Sequence, residues 1–179
     1  MENYKDIMVD LETIGNTSNS AIFSISAVRF CRETGIIQEE FHVDIDTQSC
    51  FDLGLQPTGD TLNWWLSQEK QAIEKLLTKN RVSIQVAIEM FNDFLTQDDI
   101  LWGNSARFDL GILANIYTKL NKKLKWKFYN EMCFRTLNNL MPDIRKNTQF
   151  EGIKHYGIDD CKHQIKVATK ILNKIKENE

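Results

Sequence analysis

The stretch that decides the fold is DIMVDLETIG, residues 6–15. Its apolar opening, Ile-Met-Val at residues 7–9, is typical of the first strand of a buried sheet. Asp10 and Glu12 interrupt this run, and because they are two positions apart on a strand, their side chains share one face. A charge inside a sheet is costly unless something compensates it. We therefore expect these acids either to lie at the exposed end of the strand or to hold a cation.

The composition predicts one globular domain over residues 1–179, with 42% hydrophobic and 26% charged residues. The first residues contain no apolar core of a signal peptide, and no apolar run approaches the roughly 20 residues that span a bilayer. We therefore expect a cytoplasmic protein without a membrane contact. The cysteines are widely spaced and form no CxxC pair, which predicts reduced thiols: Cys31, Cys50, Cys133 and Cys161.

The formal net charge of −3 argues against a protein that coats nucleic acid non-specifically, because such proteins are usually basic. It leaves open an enzyme that acts on nucleic acid. In such an enzyme, clustered carboxylates make the chain acidic and bound cations offset them.

Hydrophobic periodicity outlines the other elements. Strands are predicted at residues 21–30 and 36–45, so the first three strands form an antiparallel meander. Apolar spacing then predicts one helix over 61–77 and another over 82–97, with Ser83 as the N-cap of the second. The remaining predicted elements are a strand in 98–104, a helix over 106–120, a strand within 125–134 with a short helix that ends near Pro142, and a helix over 159–177. This order predicts an α/β fold with helices packed on a mixed sheet.

Two further acids stand where they can join the first pair. Asp109 lies in GNSARFDLGIL, about one turn into the helix that follows the fourth strand. Asp160 opens the last helix, five residues after His155. If the first and fourth strands are neighbours, all four acids converge at one end of the sheet. Convergent carboxylates repel one another without cations, and all-oxygen ligands suit Mg²⁺ or Mn²⁺.

Each acid also has a purely structural alternative. Asp10 and Glu12 taken alone could be surface acids at a strand end. Asp109 could complement the dipole of its helix. Asp159 and Asp160 could be the N-cap and a first-turn residue of the last helix, and of these two we expect Asp159 to serve mainly that role.

The motifs DLET, GNSARFD and H-x4-D, in this order over nearly the whole chain, resemble those of the DEDDh 3′→5′ exonucleases. The chain resembles most closely the phage exonuclease A branch and its mycobacterial exoribonuclease relatives. That closer resemblance rests on three segments: Asn63-Trp64-Trp65, the WGN-x3-FD block from Trp102 to Asp109, and Arg135-Thr136-Leu137. It implies a ribonuclease-H-like α/β fold, in which a mixed five-stranded sheet has three antiparallel strands followed by two parallel ones, flanked by helices.

The resemblance also implies phosphodiester hydrolysis with two Mg²⁺ or Mn²⁺ ions as cofactors. Carried over position by position, Asp10 would bridge both ions. Glu12 and Asp160 would complete the site that activates water, and Asp109 would hold the second ion. His155 would act as general base, a role that suits an imidazole because its unperturbed pKa is about 6.5.

Substrate contacts are assigned to residues beside these acids. Thr13 and the backbone after Glu12 would meet the terminal 3′-OH, as in similar enzymes. Phe108 and one tryptophan of the pair would stack on the last bases, and Arg107 would contact phosphate. The substrate-binding set is Leu11, Thr13, Trp65, Asn104, Arg107 and Phe108, with further phosphate contacts expected from Lys79, Arg81, Lys122, Lys123, Lys125 and Arg145. One departure from the relatives stands beside the histidine, where this chain has Tyr156-Gly157.

The implied activity is hydrolysis from the 3′ end of single-stranded or overhanging DNA or RNA, releasing nucleoside 5′-monophosphates. The expected partner is nucleic acid with a free 3′ end, in the cytoplasm of a bacterium or a phage-infected host cell. Dimers are common among similar proteins, so a homodimer is an open expectation. Two alternatives stay open: a catalytically silent nucleic-acid-binding adaptor on the same fold, and an oligoribonuclease restricted to very short substrates.

Overall fold

A computed structural model describes residues 4–177, and a five-stranded mixed sheet lies at their centre. The strands are β1 (Asp6–Thr13), β2 (Ile22–Phe30), β3 (Ile37–Asp44), β4 (Ile100–Gly103) and β5 (Glu131–Cys133). Their order across the sheet is β3-β2-β1-β4-β5. The first three strands pair antiparallel, and β4 and β5 continue the sheet in parallel with β1. The predicted sheet, with three antiparallel strands followed by two parallel ones, is confirmed.

Helices cover both faces of this sheet. They are α1 (Thr47–Asp52), α2 (Gly59–Leu66), α3 (Lys70–Leu76), α4 (Ile84–Phe94), α5 (Asp109–Lys119), α6 (Phe134–Leu140), α7 (Pro142–Lys146) and α8 (Gly157–Lys176), with one 3₁₀ turn at Phe128–Asn130. Within residues 4–177, no helix combines the length and the apolarity that a bilayer crossing requires.

Successive side chains of β1 point to opposite faces of the sheet, and both faces are covered. Ile7, Val9 and Leu11 belong to a core that includes residues of α4 and α5. Met8 points to the opposite face and belongs to a second core, which is built largely by α8. A central strand that is covered on both faces reads as a nearly continuous apolar run, as this one does. Asp10 lies on the same face as Met8, so it points toward α8.

The helix predicted over 61–77 is wrong as one element, because the chain forms α2 and α3 with a break between them. Ser67 and Gln68 cause the break. The Ser67 hydroxyl and the Gln68 side-chain amide both donate to the carbonyl oxygen of Trp64, at 2.7 and 2.9 Å. These side chains satisfy the carbonyl that would otherwise accept the next helical hydrogen bond, so the helix ends.

Two other helix boundaries follow local chemistry. The Ser83 hydroxyl accepts from the backbone N–H of Val86, which confirms the predicted N-cap of α4. Pro142 begins α7 directly after α6, and the preceding Met141 takes a non-helical conformation because the proline ring disfavours the helical one there. The short helix α1 has no counterpart among the predicted elements. Its N-cap is Asp46, whose carboxylate accepts from the N–H of Gln48.

Candidate active site

The two acids of β1 lie where a neighbouring strand leaves the sheet. Pairing of β1 with β4 runs from Asp6 to Val9 and stops at Gly103, so Asp10 and Glu12 lie beyond it. On the other side, both acids stay paired with β2. Glu12 is only 7% exposed. The acids are therefore not surface residues at a frayed strand end, but line an opening in the sheet that the departure of β4 creates.

The start of α8 brings a third acid to this opening. Gly157, the first residue of the helix, packs so closely on β1 and β2 that a Cβ there would lie 2.4 Å from Ser26 Oγ and 3.3 Å from Asp10 Oδ2. Only glycine allows this approach. As a result, carboxylate oxygens of Asp10, Glu12 and Asp160 all lie within 4.8 Å of one another. Such a spacing is close enough for a shared cation.

The fourth acid, Asp109, is the first residue of α5 rather than a residue one turn inside it. It is 3% exposed and lines the same cleft. Its Oδ2 accepts from the backbone N–H of Ser105 at 3.2 Å, which holds the side chain toward the end of β4. Gly103 makes room for it, because a Cβ there would lie 3.0 Å from that oxygen.

Burial raises the pKa of every acid in this group, first by desolvation. The pKa values of Asp10 and Glu12 rise well above their usual range, because the neighbouring acids add to the effect of burial. Burial raises the pKa of Asp109 to about 6, although the N–H of Ser105 partly offsets it. The pKa of Asp160 is raised by burial as well. Within the described chain, the fold therefore disfavours the charged form of these carboxylates, which a bound cation would stabilise.

Acids at the opposite end of the same strands form ion pairs with arginine. Asp6 is 1% exposed, and its carboxylate pairs with Arg32 and accepts from Trp102 Nε1. Asp99, just before β4, pairs with Arg29 at 2.6 Å. The fold therefore neutralises its buried acids with arginine at one end of the sheet and leaves the cluster without an ion pair to Lys or Arg at the other, as far as residues 4–177 are concerned.

His155 stands above the cluster in the loop before α8. Its backbone N–H donates to Asp160 Oδ2 at 2.7 Å, and its φ of 64° is left-handed. The imidazole ring meets Trp64 edge-on, with 4.8 Å between ring centroids, and Trp65 at 6.1 Å. Asp159 has a second role beside its place in the first turn of the helix: its carboxylate accepts from the N–H of Ile153 at 2.8 Å and closes this loop.

The two tryptophans differ in burial. Trp65 is 5% exposed and its Nε1 donates to the carbonyl oxygen of Thr13 at 2.8 Å, whereas Trp64 is 42% exposed. Trp65 therefore fixes the backbone next to Glu12, and Trp64 offers its ring to the cleft.

A cleft of about 420 Å³ joins these residues. Of the predicted substrate-binding residues, Leu11, Thr13, Trp65, Asn104 and Phe108 line it. Arg107 is exposed and is not among the lining residues. Of the predicted phosphate contacts, Arg145 lines the cleft, while these do not: Lys79, Arg81, Lys122, Lys123 and Lys125.

Sequence reasoning missed several cleft residues. Arg135 lies in the quoted Arg-Thr-Leu segment, but no role was assigned to it. Its charge lowers the pKa of Asp109 in opposition to burial, so it lies close to the cluster. Lys154 also lines the cleft, and its position directly before His155 in the sequence could have indicated this. Gln164 is one turn after Asp160 and donates to Asp10 Oδ1 at 3.1 Å. Helical spacing could have found it.

Solved structures with the same fold are nucleases. A 3′-exonuclease described in 3′-end specific recognition of histone mRNA stem-loop aligns with a TM-score of 0.64 and 13% identity, over 97% of this chain and 84% of the other. The nuclease domain of 3′hExo, a DEDDh family member bound to rAMP, aligns with a TM-score of 0.60 and 15% identity, over 97% and 95%. Exonuclease X in complex with 5′ overhanging duplex DNA aligns at 0.59 and 16%, over 94% and 92%. These likenesses establish the ribonuclease-H-like fold.

The search of curated proteins finds no match to this chain. The family comparison does, and it spans residues 5–172, a segment that includes all four acids and His155. The matched family is described as the 3′-5′ exoribonuclease Rv2179c-like domain. This chain therefore belongs to the Rv2179c-like 3′-5′ exoribonuclease domain family, and it is a 3′→5′ exonuclease.

Proposed function

We propose that this exonuclease hydrolyses RNA or DNA from a single-stranded or overhanging 3′ end, releases nucleoside 5′-monophosphates and uses two divalent ions, Mg²⁺ or Mn²⁺. The observation that carries the proposal is the group of four acids, two buried and two half-buried, that line one cleft with His155 and form no ion pair with Lys or Arg among residues 4–177. A fold that pairs Asp6 and Asp99 with arginine has the means to neutralise acids, yet leaves this group to a cation from solution.

The residues present fit divalent ions. Their donors are all carboxylate oxygens, the ligands that Mg²⁺ and Mn²⁺ prefer. Three of the acids offer oxygens within 4.8 Å of one another, and their raised pKa values mark a place where a cation would relieve repulsion. Asp10 would contact both ions, Glu12 and Asp160 the first, and Asp109 the second. When bound, the ions would withdraw charge from the scissile phosphate and make an attacking water more acidic.

The chain itself supplies the proton acceptor and the grip on the substrate. His155 would take the proton of the attacking water. Its T-shaped ring contacts with Trp64 and Trp65 would orient the imidazole. Thr13 would meet the terminal 3′-OH, because Trp65 holds its carbonyl and thereby the backbone beside Glu12. Phe108 would stack on a terminal base, which suits a cleft that accepts any sequence.

Cationic residues of the cleft wall would bind the phosphates. Arg135, Arg145 and Lys154 all line the cleft, and a guanidinium can hold a phosphate with two parallel hydrogen bonds. Arg107 is as exposed as these three residues and lies outside the set that lines the cleft, so it remains a proposed phosphate contact at the margin of the site. The position of the three lining residues in the wall of the acid cluster also explains how an acidic protein attracts a polyanion locally.

The family description favours RNA over DNA. Structural neighbours are described in complex with different DNA forms, since one is described with 5′ overhanging duplex DNA and another, E. coli ExoI, in a complex with ssDNA. Family membership also favours an enzyme over the catalytically silent adaptor.

The test is a matched set of 5′-labelled RNA and DNA oligonucleotides, offered single-stranded, as blunt duplex and with a 3′ overhang. We expect ladders that shorten from the 3′ end, nucleoside 5′-monophosphates as product, and complete loss of activity with EDTA or in Asp10→Asn. Products cut from the 5′ end, or full activity with EDTA, would contradict the proposal. Comparing a dinucleotide with an oligonucleotide of about 20 residues decides whether the enzyme is restricted to very short substrates.

A further inference from the structure

Tyr156, the residue after His155, is contacted by two elements outside its own loop. Its ring lies 5.2 Å from the His42 ring of β3, measured between centroids. Lys75 Nζ of α3 lies 4.4 Å from the centroid of the same ring. The backbone N–H of Tyr156 donates to Ile153 O at 3.2 Å. The ring thus connects the sheet, the histidine loop and α3.

The backbone of His155 needs such an anchor. Its φ of 64° lies in the left-handed region, which a residue with a Cβ adopts only where the surroundings impose it. The 2.7 Å hydrogen bond from its N–H to Asp160 restrains one side. The ring of Tyr156 restrains the next residue. Together they fix the direction in which the imidazole leaves the main chain.

The His42 anchor is itself tied to β2, the neighbour of the strand that carries the acids. Ser26 Oγ lies 2.8 Å from His42 Nδ1, and Asp44 Oδ1 lies 3.2 Å from His42 Nε2. Ser26 is the β2 partner of Asp10. These contacts make His42 a link between the acid cluster and the ring of Tyr156.

We propose that Tyr156 is a positioning residue for His155: clamped by its contacts with His42 and Lys75, its ring sets the backbone from which the imidazole reaches the cleft. This inference rests on the proposed role of His155 as general base. Tyr156 touches no reacting atom and acts only through its neighbour. Its aromatic ring is the part that matters, because both of these contacts are made with the ring and the hydroxyl forms no hydrogen bond within residues 4–177.

The test is a double-mutant cycle with single-turnover or steady-state kinetics at saturating substrate. We expect Tyr156→Ala to lower kcat roughly 10- to 100-fold with KM changed less than about threefold, since the base contributes only when correctly placed. Tyr156→Phe keeps kcat within about threefold of the wild type. In a His155→Ala background, Tyr156→Ala changes kcat by less than about twofold, because there is no imidazole left to position. Hydrogen exchange at the His155 amide should accelerate in Tyr156→Ala.

Each other outcome has a distinct meaning. If His155→Ala loses activity while Tyr156→Ala retains wild-type kcat, or lowers kcat equally in both backgrounds, the positioning role is refuted and the proposed function stands. If His155→Ala has wild-type kcat, the base role fails and the inference fails with it. Should Tyr156→Ala not fold, Lys75→Met replaces it, and a fall in kcat relative to its control Lys70→Met, on the exposed side of the same helix, supports the clamp. Equal kcat in these two lysine variants refutes it.

Discussion

Replacing Asp109 with asparagine should stabilise the protein when no metal is present. Burial raises the pKa of Asp109 from the usual 3.8 to about 6, so the folded chain binds a proton more tightly than the unfolded chain. The contribution of Asp109 to the free energy of unfolding is therefore most favourable at low pH, and it is lost as the pH rises from the unfolded to the folded pKa. Above that pH range Asp109 is ionised, and its destabilising effect has its full size. Asparagine removes the charge and keeps an oxygen that can accept from Ser105.

The expected size follows from that shift. A pKa displaced by about two units corresponds to about 3 kcal/mol in the free energy of unfolding near pH 7.5, because one unit is worth about 1.4 kcal/mol. The same relation gives about half of this free-energy difference near pH 5. In a protein of 179 residues, 1 kcal/mol moves the melting midpoint by about 2–4 °C. We therefore expect Asp109→Asn to raise the midpoint by up to roughly 6–12 °C near pH 7.5.

The assay is thermal unfolding followed by circular dichroism in EDTA, at a neutral and an acidic pH. Asp6→Asn is the matched control, because Asp6 is equally buried but paired with Arg32, and its loss should lower the midpoint. In saturating Mg²⁺, the wild type should gain more stability than Asp109→Asn. A midpoint for Asp109→Asn below that of the wild type in EDTA near pH 7.5 would refute the electrostatic reasoning.

Further expected outcomes concern single residues and the metal. His155→Ala should lower kcat by about 10²–10⁴ while Mg²⁺ still raises the melting midpoint, which steady-state kinetics and melting curves measure together. Asp10→Ala should abolish hydrolysis with an unchanged circular dichroism spectrum; residual wild-type activity would exclude a metal-bridging role. Phe108→Ala should raise KM for single strands about 5- to 150-fold, the equivalent of about 1–3 kcal/mol of base stacking, and an unchanged KM would place the terminal base elsewhere. Adding Mg²⁺ to metal-free wild-type protein should raise its midpoint in proportion to the logarithm of ion concentration, whereas a flat response counts against a bound ion.

The elements predicted well are those whose signals are local or repeated. The alternation around Asp10 and the cap at Ser83 depend on residues within one turn or strand, so the sequence displays them directly. The break between α2 and α3 is different. It depends on whether Ser67 and Gln68 turn their side chains back to one carbonyl, and apolar spacing carries no information about that choice.

The candidate site was likewise predictable only in part. The sequence motifs were sufficient to predict that the four acids and His155 come together, and all five line one cleft. Which cations line the cleft was predicted only for Arg145, because the answer depends on which loops border the cleft. Arg107 is two residues before Asp109 but does not line the cleft, whereas Arg135 and Lys154 come from segments far from Asp109 in sequence and do. The contact between Tyr156 and His42 likewise joins residues far apart in the chain.

Metal binding tests the central claim most directly. The measurement is calorimetric titration of the metal-free protein with Mn²⁺, followed by anomalous scattering from Mn²⁺-soaked crystals. We expect two ions in contact with Asp10 and with the acids around it, and loss of that binding in Asp10→Asn. A protein that binds no Mn²⁺, or binds it only away from Asp10, Glu12, Asp109 and Asp160, would contradict the claim that this cluster is built for divalent cations.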